Sequence, residues 1–282
     1  MTDMPSFSSQ TEKPDCYGVV GHPITHSLSP QIHTAFAAAT LQNILYERYD
    51  IAPENFTNHV DVFFSAGGCG LNVTLPHKKA AAMLVDTLSP RAKSAGAVNT
   101  LIKNLDGTLH GDNTDGAGLT ADLKFLNVSI KAQRILILGA GGATRGILAP
   151  LLAELPHSIT IVNRRSDRAF ELATQFSDLG ALVPHSYESL PQAAFDLLIH
   201  ATSAGLSGAL PPLDAALIHE KTFCYDLGYN KHTTPFIQWA KQKGATATAQ
   251  GLGMLIEQAA ESFFLWRGVR PETAPIRASL IK

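Results

Sequence analysis

The chain has 282 residues, which is enough for two domains, and 45% of them are hydrophobic, which is enough to bury a core in each. It carries 22 Lys and Arg residues against 24 Asp and Glu, without a dense basic run. This charge pattern excludes the electrostatic footprint of a nucleic-acid or acidic-membrane partner. We expect a soluble globular protein whose partners are small molecules.

The sequence also lacks the marks of export. Its first ten residues contain no basic stretch followed by an apolar one, and no segment approaches the roughly 18 uninterrupted apolar residues of a membrane span. Cys16, Cys69 and Cys224 are far apart and odd in number, which is typical of reduced thiols rather than of disulfides or metal ligands. These observations predict a cytoplasmic protein without a membrane segment.

The first part of the chain alternates short apolar runs with amphipathic stretches. Residues 1–14 are polar and proline-bearing, and they are predicted to form a flexible tail. Strands are predicted at residues 17–20, 45–49 and 70–73, helices at 30–40 and 76–85, and an antiparallel hairpin at 97–103 and 108–110. Strands separated by helices indicate parallel pairing through crossovers, so this part is predicted to be an open α/β unit.

The second part repeats strand and helix in the order of a doubly wound sheet. A helix at residues 116–126, with Leu119, Leu123 and Leu126 on one face, leads into it and marks the predicted domain boundary. Strands are predicted at 134–138, 158–162, 181–183, 195–200 and 223–226, and helices at 167–176 and from Thr234-Pro235 onward. The predicted fold class is α/β, with an N-terminal open α/β domain followed by a Rossmann-type parallel sheet. Two final helices, at 253–266 and 274–282, have no strand of their own, and the pattern does not decide which unit they pack on.

A glycine-rich turn follows the first strand of the second part. Gly139, Gly141 and Gly142 lie between an apolar run and a predicted helix. Glycine lets the backbone approach a pyrophosphate, whose charge the free N–H groups and the positive helix end then bind. Thr144 replaces the usual third glycine, and Pro150 is predicted to interrupt the helix. The context favours a dinucleotide site over a tight turn without a ligand.

The loop after the next strand indicates which dinucleotide the site would bind. Where an Asp or Glu would hold the ribose hydroxyls of NAD, the chain reads Asn163-Arg164-Arg165-Ser166-Asp167-Arg168. A guanidinium fork matches a phosphate group, so the loop favours NADP. The alternative is a solvated basic loop in which Ser166 and Asp167 only start the next helix. Even if Arg164 binds the phosphate, this alternative stays open for Arg165 and Arg168.

Two serines precede the first predicted helix. Pro30 fits the first helical position and Ser29 the N-cap, which accounts for Ser29 by itself. Ser27 has no such structural role, and two hydroxyls beside a helix N-terminus can also hold a carboxylate. Capping alone and capping together with anion binding are equally compatible with this segment.

Lys78 and Asp115 each belong to a short polar signature that follows an apolar run. Lys78 lies in the first turn of a helix predicted to begin at Pro76, where a cation is disfavoured by roughly 0.3–1 kcal/mol. We interpret it as a proton donor and acceptor whose charge Asp115 tunes, against the alternative of a solvated lysine. For Asp115, which stands at another predicted helix start, simple capping is an open alternative.

Amide and hydroxyl side chains accompany these two groups. Asn72, Thr74 and Asn99, with the run of residues 112–115, supply donors and acceptors suited to a small polyhydroxylated molecule. A closely spaced histidine pair near the N-terminus is separated by a proline and joined by no carboxylate or thiol cluster, so no metal site is predicted. No nucleophile elbow or phosphate loop with Gly-Lys-Ser/Thr is present, which argues against acyl or phosphoryl transfer.

Taken together, these stretches resemble the shikimate dehydrogenase family from about residue 17 to the C-terminal helices. The matching stretches are Ser27-Leu-Ser-Pro30, Asn72-Val-Thr74 with Pro76 and Lys78, Gly96-Ala-Val-Asn99-Thr100, Gly111-Asp-Asn-Thr-Asp115-Gly116, Gly139-Ala-Gly-Gly-Ala143, Asn163-Arg164, Tyr225-Asp-Leu-Gly-Tyr229 and Gly251-Leu-Gly-Met-Leu-Ile-Glu-Gln258. None is specific alone, but the combination is. The resemblance implies reversible, NADP-dependent interconversion of 3-dehydroshikimate and shikimate, a step toward chorismate and the aromatic amino acids.

The resemblance also implies roles for individual residues. The catalytic pair would be Lys78 and Asp115, and the paired serines would hold the substrate carboxylate. The expected substrate-binding residues are Ser27, Ser29, Asn72, Thr74, Lys78, Asn99, Asp115, Tyr229 and Gln258. The expected cofactor-binding residues are Gly139, Ala140, Gly141, Gly142, Ala143, Asn163, Arg164, Arg168, Thr202 and Gly251.

The family fold places the C-terminal helices back on the N-terminal domain. The expected domains are therefore residues 15–116 with 252–282 for the substrate and 117–251 for NADP, in a monomer or a homodimer. Two positions depart from the family form. His200 stands where an asparagine often precedes Ala-Thr-Ser, and Gln250 stands where an aspartate often precedes Gly-Leu-Gly-Met.

Two other functions fit parts of this pattern. A quinate/shikimate dehydrogenase would have a broader substrate range and use NAD, and the arginine loop argues against it. A non-catalytic dinucleotide sensor would use the same nucleotide sheet, but it would not need Lys78, Asp115 and the paired serines together.

Overall fold

The computed structural model describes residues 13–202, 210 and 213–281. The predictions made for residues 1–12 and for the end of the last helix at residue 282 lie outside the described residues. Within them, the chain forms two six-stranded sheets flanked by helices. The predicted α/β class is therefore confirmed.

The first sheet is mixed and has the strand order β2-β1-β3-β5-β6-β4. Its strands are β1 (Asp15–Gly21), β2 (Ile44–Asp50), β3 (Gly70–Val73), β4 (Thr87–Leu88), β5 (Thr100–Lys103) and β6 (Leu109–Asp112). The helices between them are α1 (Ser29–Thr40), α2 (Phe56–Ser65), α3 (Lys78–Leu84) and α4 (Pro90–Ala95). β1 pairs in parallel with β2 and β3, and β5 pairs antiparallel with β6, which confirms the predicted crossovers and hairpin.

The second sheet is parallel throughout and has the order β12-β11-β10-β7-β8-β9. Its strands are β7 (Arg134–Leu138), β8 (Ser158–Val162), β9 (Leu182–His185), β10 (Leu197–His200), β11 (Phe223–Asp226) and β12 (Ala247–Gln250). Its helices are α5 (Asp115–Phe125), which leads in, α6 (Gly142–Ala153), α7 (Ser166–Gln175) and α8 (Pro235–Gln242). This is the doubly wound order, whose ligand crevice lies at the carboxyl ends of the strands where the order reverses, between β7 and β10.

The last two helices, α9 (Leu252–Arg267) and α10 (Ala274–Leu280), complete the chain. Ile256 and Phe263 of α9 share one apolar cluster with Ile32 and Phe36 of α1. Burying large apolar side chains on both helices stabilises this contact by about 1.5–3 kcal/mol for each of them. The C-terminal helices thus pack on the first sheet's helices, which the sequence pattern alone left open.

A buried ionic cluster ties α5, α9, α10 and the second sheet together. Arg277 donates from Nη2 to Asp122 Oδ1 at 2.5 Å and from Nη1 to Glu257 Oε1 at 3.1 Å. The hydroxyl of Tyr225 in β11 donates to the other oxygen of Asp122. A Cβ at residue 253 would lie 2.2 Å from Asp122 Oδ1, so only Gly253 lets α9 approach this closely. Because removing one partner would leave a buried charge uncompensated, the cluster fixes the approach of these elements.

One predicted helix break is wrong. Pro150 lies inside α6, which runs without interruption from Gly142 to Ala153. Proline removes the helical donor to the carbonyl of Gly146, but α5 covers that carbonyl at Gly116. A Cβ at residue 116 would lie 2.4 Å from Pro150 Cγ and 2.6 Å from the Gly146 oxygen. The two helices therefore meet at a contact that has room only for glycine.

Other differences from the predicted elements are smaller. α3 begins at Lys78 rather than at Pro76, and α2, α4, β4 and β12 were not predicted. No helix within residues 13–202, 210 and 213–281 is both long enough and apolar enough to cross a bilayer.

Candidate active site

Lys78 and Asp115, 37 residues apart in the chain, meet in the structure. Lys78 Nζ lies 2.5 Å from Asp115 Oδ2, with 21% and 9% of the two side chains exposed. Lys78 is therefore paired and not merely solvated. Asp115 is the first residue of α5 and not its N-cap, which is Thr114, and Asn113 Oδ1 accepts the N–H of Asp115 at 3.1 Å, so the capping alternative for the Asp115 carboxylate is wrong. Both groups instead face one another at the N-terminal ends of α3 and α5.

Asn99 is the centre of the polar cluster around this pair. Its Nδ2 donates to Asp115 Oδ1 at 2.8 Å and lies 3.1 Å from Gln258 Oε1. Its Oδ1 accepts the backbone N–H of Thr114 at 2.9 Å. Because Lys78 holds one carboxylate oxygen and Asn99 the other, the rotation of the Asp115 carboxylate is fixed. Four of the predicted site residues are thus brought together from four distant segments.

Asn72 lies behind this cluster and is buried. Its Nδ2 donates to the Asn99 carbonyl at 3.2 Å and to Ser262 Oγ at 3.0 Å, and its Oδ1 accepts from the Tyr46 hydroxyl at 2.7 Å. Burial raises the pKa of Tyr46 well above its usual range, so this hydroxyl keeps its proton. His33 stacks on the Tyr46 ring at 4.2 Å, and burial lowers the pKa of His33 to about 3, so the ring is neutral. Asn72 therefore supports Asn99 from within the fold.

The sequence did not indicate Tyr46 or Ser262. Tyr46 lies in a strand and Ser262 in an apolar helix stretch, and neither has a local signal for a polar network. Thr114 lies within the polar run of residues 112–115, but its contact with Gln258 at 3.2 Å joins segments 144 residues apart. Such contacts depend on the packing of α9 and could be found only once that packing was known.

The two serines lie at the start of α1. This helix begins at Ser29 and its N-cap is Leu28, which has no capping side chain, so the predicted N-cap role of Ser29 is wrong. Ser27 Oγ donates to Ser29 Oγ at 3.2 Å, and the Ser27 carbonyl accepts from the Arg48 guanidinium at 2.7 Å and 2.9 Å. Ser27 Oγ also accepts the backbone N–H of Ser29 at 3.3 Å, so the two hydroxyls form a pair at the N-terminus of α1, and Ser27 rather than Ser29 satisfies an N–H group of that helix. Thr74, which directly follows β3, is half-buried and stays a predicted substrate residue.

The Lys78–Asp115 pair lies against α6, the helix that follows the glycine turn. A Cβ at Gly146 would lie 3.1 Å from Asp115 Oδ2 and 3.3 Å from Asn113 Oδ1. Gly146 is only five residues beyond Gly141, the N-cap of α6. The pair therefore lies beside the helix that follows the glycine turn, although Lys78 belongs to the first unit.

The glycine turn has the shape that a pyrophosphate requires. Gly139 has a φ of +113°, and a Cβ there would lie 3.0 Å from both Ala201 O and Thr202 Cγ2. Space beside Gly141 and Gly142 is open, and no side chain caps α6, so its first N–H groups are free of such a partner. Thr144 donates to the Gly139 carbonyl at 2.8 Å, which explains how a threonine replaces the third glycine. Ala140 and Ala143 complete the turn.

The arginine loop lies at the end of β8, next to β7 in the sheet. Asn163 Nδ2 donates to the Arg165 carbonyl at 2.8 Å, which tightens the turn before α7 begins at Ser166. Arg164 and Arg168 are exposed. Their guanidinium groups are accessible to a 2′-phosphate on a dinucleotide held at the glycine turn.

The loops after β11 and β12 bring further predicted residues to the same edge of the second sheet. Tyr229 is 38% exposed. Gly251 donates to the Gly228 carbonyl at 3.1 Å, and a Cβ there would lie 2.1 Å from the Leu227 carbonyl oxygen, so only glycine fits. Gln250 accepts from Asn230 N–H at 3.2 Å, which shows that the departure at residue 250 still serves the loop that carries Tyr229.

A cavity of about 1200 Å³ is lined by residues of both units, among them His26, Tyr229 and Gln250. Its walls do not include Lys78 or Asp115. We therefore place the site by the acid-base pair and the glycine turn, where the chemical groups converge, and not by cavity size. Among the described residues, no group of three or more His, Cys, Asp or Glu side chains is arranged to hold a metal ion.

Asp112 anchors the segment that carries Asp115. Its carboxylate accepts from Arg91 at 2.7 Å and 2.8 Å and from Ser89 Oγ at 2.5 Å. Burial opposes the charged form of this carboxylate, but the hydrogen bonds from Arg91 and Ser89 outweigh it, so the pKa of Asp112 lies below its usual value. A group with a lowered folded-state pKa stabilises the fold above its unfolded pKa and stops doing so as the pH falls through the folded value.

Asp112→Asn is therefore expected to lower the free energy of unfolding by about 1–2 kcal/mol at pH 7, since Arg91 is partly exposed. The difference from wild type should stay constant down to about pH 5 and shrink below about pH 4, near the unfolded pKa of Asp. Urea unfolding across this pH range measures it, with Asp178→Asn, an exposed carboxylate, as the control. A difference that grows with acid would contradict the assigned pKa direction.

The structure joins a parallel sheet of the dinucleotide-binding type to a second α/β unit. The Lys78–Asp115 pair lies against the helix that follows the glycine turn. This arrangement defines the two-domain dehydrogenase class of α/β proteins. Comparison with protein-family models identifies the family within this class. The chain matches "Shikimate dehydrogenase substrate binding domain" over residues 19–101, "Shikimate / quinate 5-dehydrogenase" over 121–207 and "Shikimate 5'-dehydrogenase C-terminal domain" over 251–281. The chain belongs to the shikimate dehydrogenase family.

Individual relatives agree with this assignment. The chain is 51% identical over 269 residues to a protein of Methylococcus capsulatus named shikimate dehydrogenase (NADP(+)), covering 95% of this chain and 96% of the relative. It is similar to the structure of an Ael1 enzyme from Pseudomonas putida, with a TM-score of 0.89, 41% identity and coverage of 94% and 98%. It is also similar to shikimate 5-dehydrogenase from Thermus thermophilus in complex with NADP(H) and shikimate, with a TM-score of 0.82, 35% identity and coverage of 94% and 98%.

Proposed function

We propose that the protein catalyses the reversible, NADP-dependent interconversion of 3-dehydroshikimate and shikimate on the route to chorismate. The observation that carries this proposal is the 2.5 Å contact between Lys78 Nζ and Asp115 Oδ2, placed against α6 just beyond the glycine turn. A non-catalytic sensor would have no use for an amine and a carboxylate at this point. The named activity of the Methylococcus capsulatus relative and the ligands of the Thermus thermophilus structure support the same reaction.

The substrate has one carboxylate and several ring hydroxyls, and the site offers a partner for each. The paired hydroxyls of Ser27 and Ser29 suit the carboxylate, because they lie at the N-terminus of α1 where an anion is favoured. The ring hydroxyls would be oriented by Thr74, Asn99, Asp115, Tyr229 and Gln258, and Asn72, which is buried behind the cluster, would hold Asn99 in place. Rigid partners of this kind hold the reacting carbon in one orientation.

The reaction requires proton transfer at the C3 oxygen. NADPH, when bound, supplies the hydride that reduces the C3 ketone. Lys78 stabilises the negative charge that develops on the ketone oxygen and donates a proton to it, and in the oxidative direction Lys78 accepts the proton. Asp115, held by Asn99, keeps the ammonium and the neighbouring hydroxyl in place.

The dinucleotide would be held along the carboxyl ends of the second sheet. Its pyrophosphate would lie at the turn formed by Gly139, Ala140, Gly141, Gly142 and Ala143, whose free N–H groups and open space fit it. Asn163, Arg164 and Arg168 would take the adenosine ribose and its 2′-phosphate, and Thr202 and Gly251 the nicotinamide end. The exposed guanidinium groups favour NADP over NAD.

The decisive experiment measures NADP reduction at 340 nm with shikimate and with quinate in parallel, and repeats both with NAD. We expect turnover with shikimate and NADP to exceed the other three combinations. Comparable rates with quinate and NAD would identify a quinate/shikimate dehydrogenase, and binding of NADP without turnover would identify a sensor.

Ser29→Ala is expected to raise KM for shikimate about tenfold, the cost of one lost hydrogen bond to a charged group, with little change in kcat. Steady-state kinetics at saturating NADP measure this. Ser177→Ala, which removes an exposed hydroxyl beyond α7, is the control and should leave KM unchanged. An unchanged KM in Ser29→Ala would remove Ser29 from the carboxylate site.

We also propose a cytoplasmic location and a monomeric or homodimeric state. The three cysteines are free, and burial raises the pKa of the Cys224 thiol to about 12, which makes it unreactive. Such thiols suit a reducing compartment. Light scattering of the purified protein separates a monomer from a homodimer.

A further inference from the structure

A buried histidine lies at the strand ends beside the dinucleotide turn. His200 is the last residue of β10, is 1% exposed, and is in register with Asp226 of β11 and Leu138 of β7. Phe236 stacks on its ring with centroids 4.9 Å apart. The imidazole is therefore held rigidly between the strand ends that border the ligand crevice.

Both ring nitrogens of His200 have partners. Nδ1 lies 3.0 Å from Asp226 Oδ1, and Nε2 lies 2.6 Å from Thr202 Oγ1. Asp226 Oδ1 also accepts the backbone N–H of Gly228 at 3.0 Å. A carboxylate has no proton to donate, so Nδ1 carries the hydrogen and donates it to Asp226. In the neutral ring, Nε2 is then an acceptor, and the Thr202 hydroxyl is the donor to it.

This assignment determines what Thr202 can offer a ligand. A threonine hydroxyl has one proton, and when the imidazole is neutral this proton points at Nε2 of His200. The Thr202 oxygen therefore presents lone pairs, and not a donor, to its other neighbours. Its methyl group packs beside the turn, since a Cβ at Gly139 would lie 3.0 Å from Thr202 Cγ2. The result is an oriented acceptor next to the glycine turn.

The position in the sheet indicates which part of a dinucleotide this acceptor would meet. Arg164 follows β8, on the β8-β9 side of the glycine turn, where the adenosine ribose is expected. Thr202 follows β10, on the opposite side, which carries β11 and β12. The nicotinamide half of the cofactor lies on that side in a doubly wound sheet.

We propose that His200 is a positioning residue that holds the Thr202 hydroxyl as a hydrogen-bond acceptor for a donor on the nicotinamide-riboside half of the cofactor, a ribose hydroxyl or the carboxamide N–H. This inference rests on the proposed function, because it assumes a nicotinamide dinucleotide. It gives a physical role to the departure at residue 200, where the imidazole spans from Asp226 to Thr202.

Variants of Thr202 test the acceptor directly. Thr202→Val keeps the shape and removes the oxygen, and it is expected to raise the Kd of NADPH, measured by nicotinamide fluorescence, about tenfold. Thr202→Ser keeps the hydroxyl and should bind within about twofold of wild type. KM for shikimate should stay unchanged in both, because the acceptor faces the cofactor.

Variants of His200 test the positioning role. His200→Phe keeps a ring to stack on Phe236 but removes both nitrogens, and we expect about the same tenfold loss of NADPH affinity. Both changes disable the same acceptor, which the His200–Thr202 hydrogen bond orients. The double variant with Thr202→Val should therefore bind NADPH no more weakly than either single variant. If His200→Phe does not fold, the comparison of Thr202→Val with Thr202→Ser still decides on the acceptor.

Adenosine 2′,5′-bisphosphate separates this role from general stability. It contains the adenosine half of NADP and lacks the nicotinamide half, so its Kd by calorimetry should change less than about twofold in every variant. Equal weakening of the bisphosphate and NADPH would overturn the proposal in favour of a purely structural role. NADPH binding unchanged in Thr202→Val, or additive losses in the double variant, would overturn it as well.

Failure of the proposed function would look different. Wild-type protein that binds NADPH but does not oxidise shikimate would refute the proposed reaction, while the Kd comparisons would still decide the role of His200. Wild-type protein that binds no NADPH would refute both.

Discussion

Lys78→Ala is expected to lower kcat about 10³-fold, within the range for loss of a positioned general acid, while KM for shikimate changes less than about threefold. In the proposed mechanism the amine acts on an oxygen whose charge develops during hydride transfer, so its removal costs the transition state far more than the bound ground state. Steady-state kinetics in both directions, with saturating cofactor, measure the two constants separately.

Lys79→Ala provides the matched control, because Lys79 is the next residue of α3 and is exposed. It removes the same charge from the same helix turn and should leave kcat within about twofold of wild type. An intact kcat in Lys78→Ala would refute the role of Lys78, and an effect on KM alone would make it a binding residue.

Arg164→Ala is expected to raise the Kd of NADPH roughly 10- to 100-fold, the value of one or more charge-assisted hydrogen bonds to a phosphate. NADH lacks the 2′-phosphate, so its affinity should change little. Fluorescence titration with both cofactors gives the ratio of the two losses, and that ratio measures the contact with the phosphate.

Arg165→Ala is the control for this loop. The structure uses the carbonyl of Arg165, which accepts from Asn163, and a change to alanine keeps that carbonyl. We expect the ratio of NADPH to NADH affinity to stay near its wild-type value. Equal losses of NADPH and NADH in Arg164→Ala would show that this arginine does not select the cofactor.

Much of the fold was predictable because its buried strands are short apolar runs between turn residues. β3 (Gly70–Val73), β7 (Arg134–Leu138) and β8 (Ser158–Val162) have the predicted bounds. Each is buried over most of its length, so the apolar run and the strand coincide. The glycine turn follows one of these strands, which is why its position was predictable too.

Other elements have no such signal. β12 (Ala247–Gln250) is a half-buried edge strand of alanine, threonine and glutamine, and only pairing with β11 makes it a strand. α2 (Phe56–Ser65) has three polar residues directly after Phe56, and its buried Phe56, Val60 and Phe63 stabilise it. In these places tertiary contacts decide the structure, and local preference does not.

The site residues likewise divide into those with a local sequence signal and those that only tertiary packing brings together. Lys78 and Asp115 could be proposed from residue type and position, because an ammonium at a helix start breaks a local rule. The predicted N-cap role of Ser29 is wrong because the helix already includes Ser29, which its position one residue before a proline does not reveal. The hydrogen bond between Asn99 and Gln258 spans 159 residues, and only the return of α9 to the first sheet creates it.

The glycine-only contact of α5 with α6 also determines how accurately the Asp115 carboxylate is placed. Gly116 touches Gly146 and Pro150 without an intervening side chain, and Asp115 is the adjacent residue. Any side chain at residue 116 would wedge the two helices apart, and the neighbouring carboxylate would move with α5. The spacing of two backbones, rather than adjustable side-chain packing, therefore sets the position of this carboxylate.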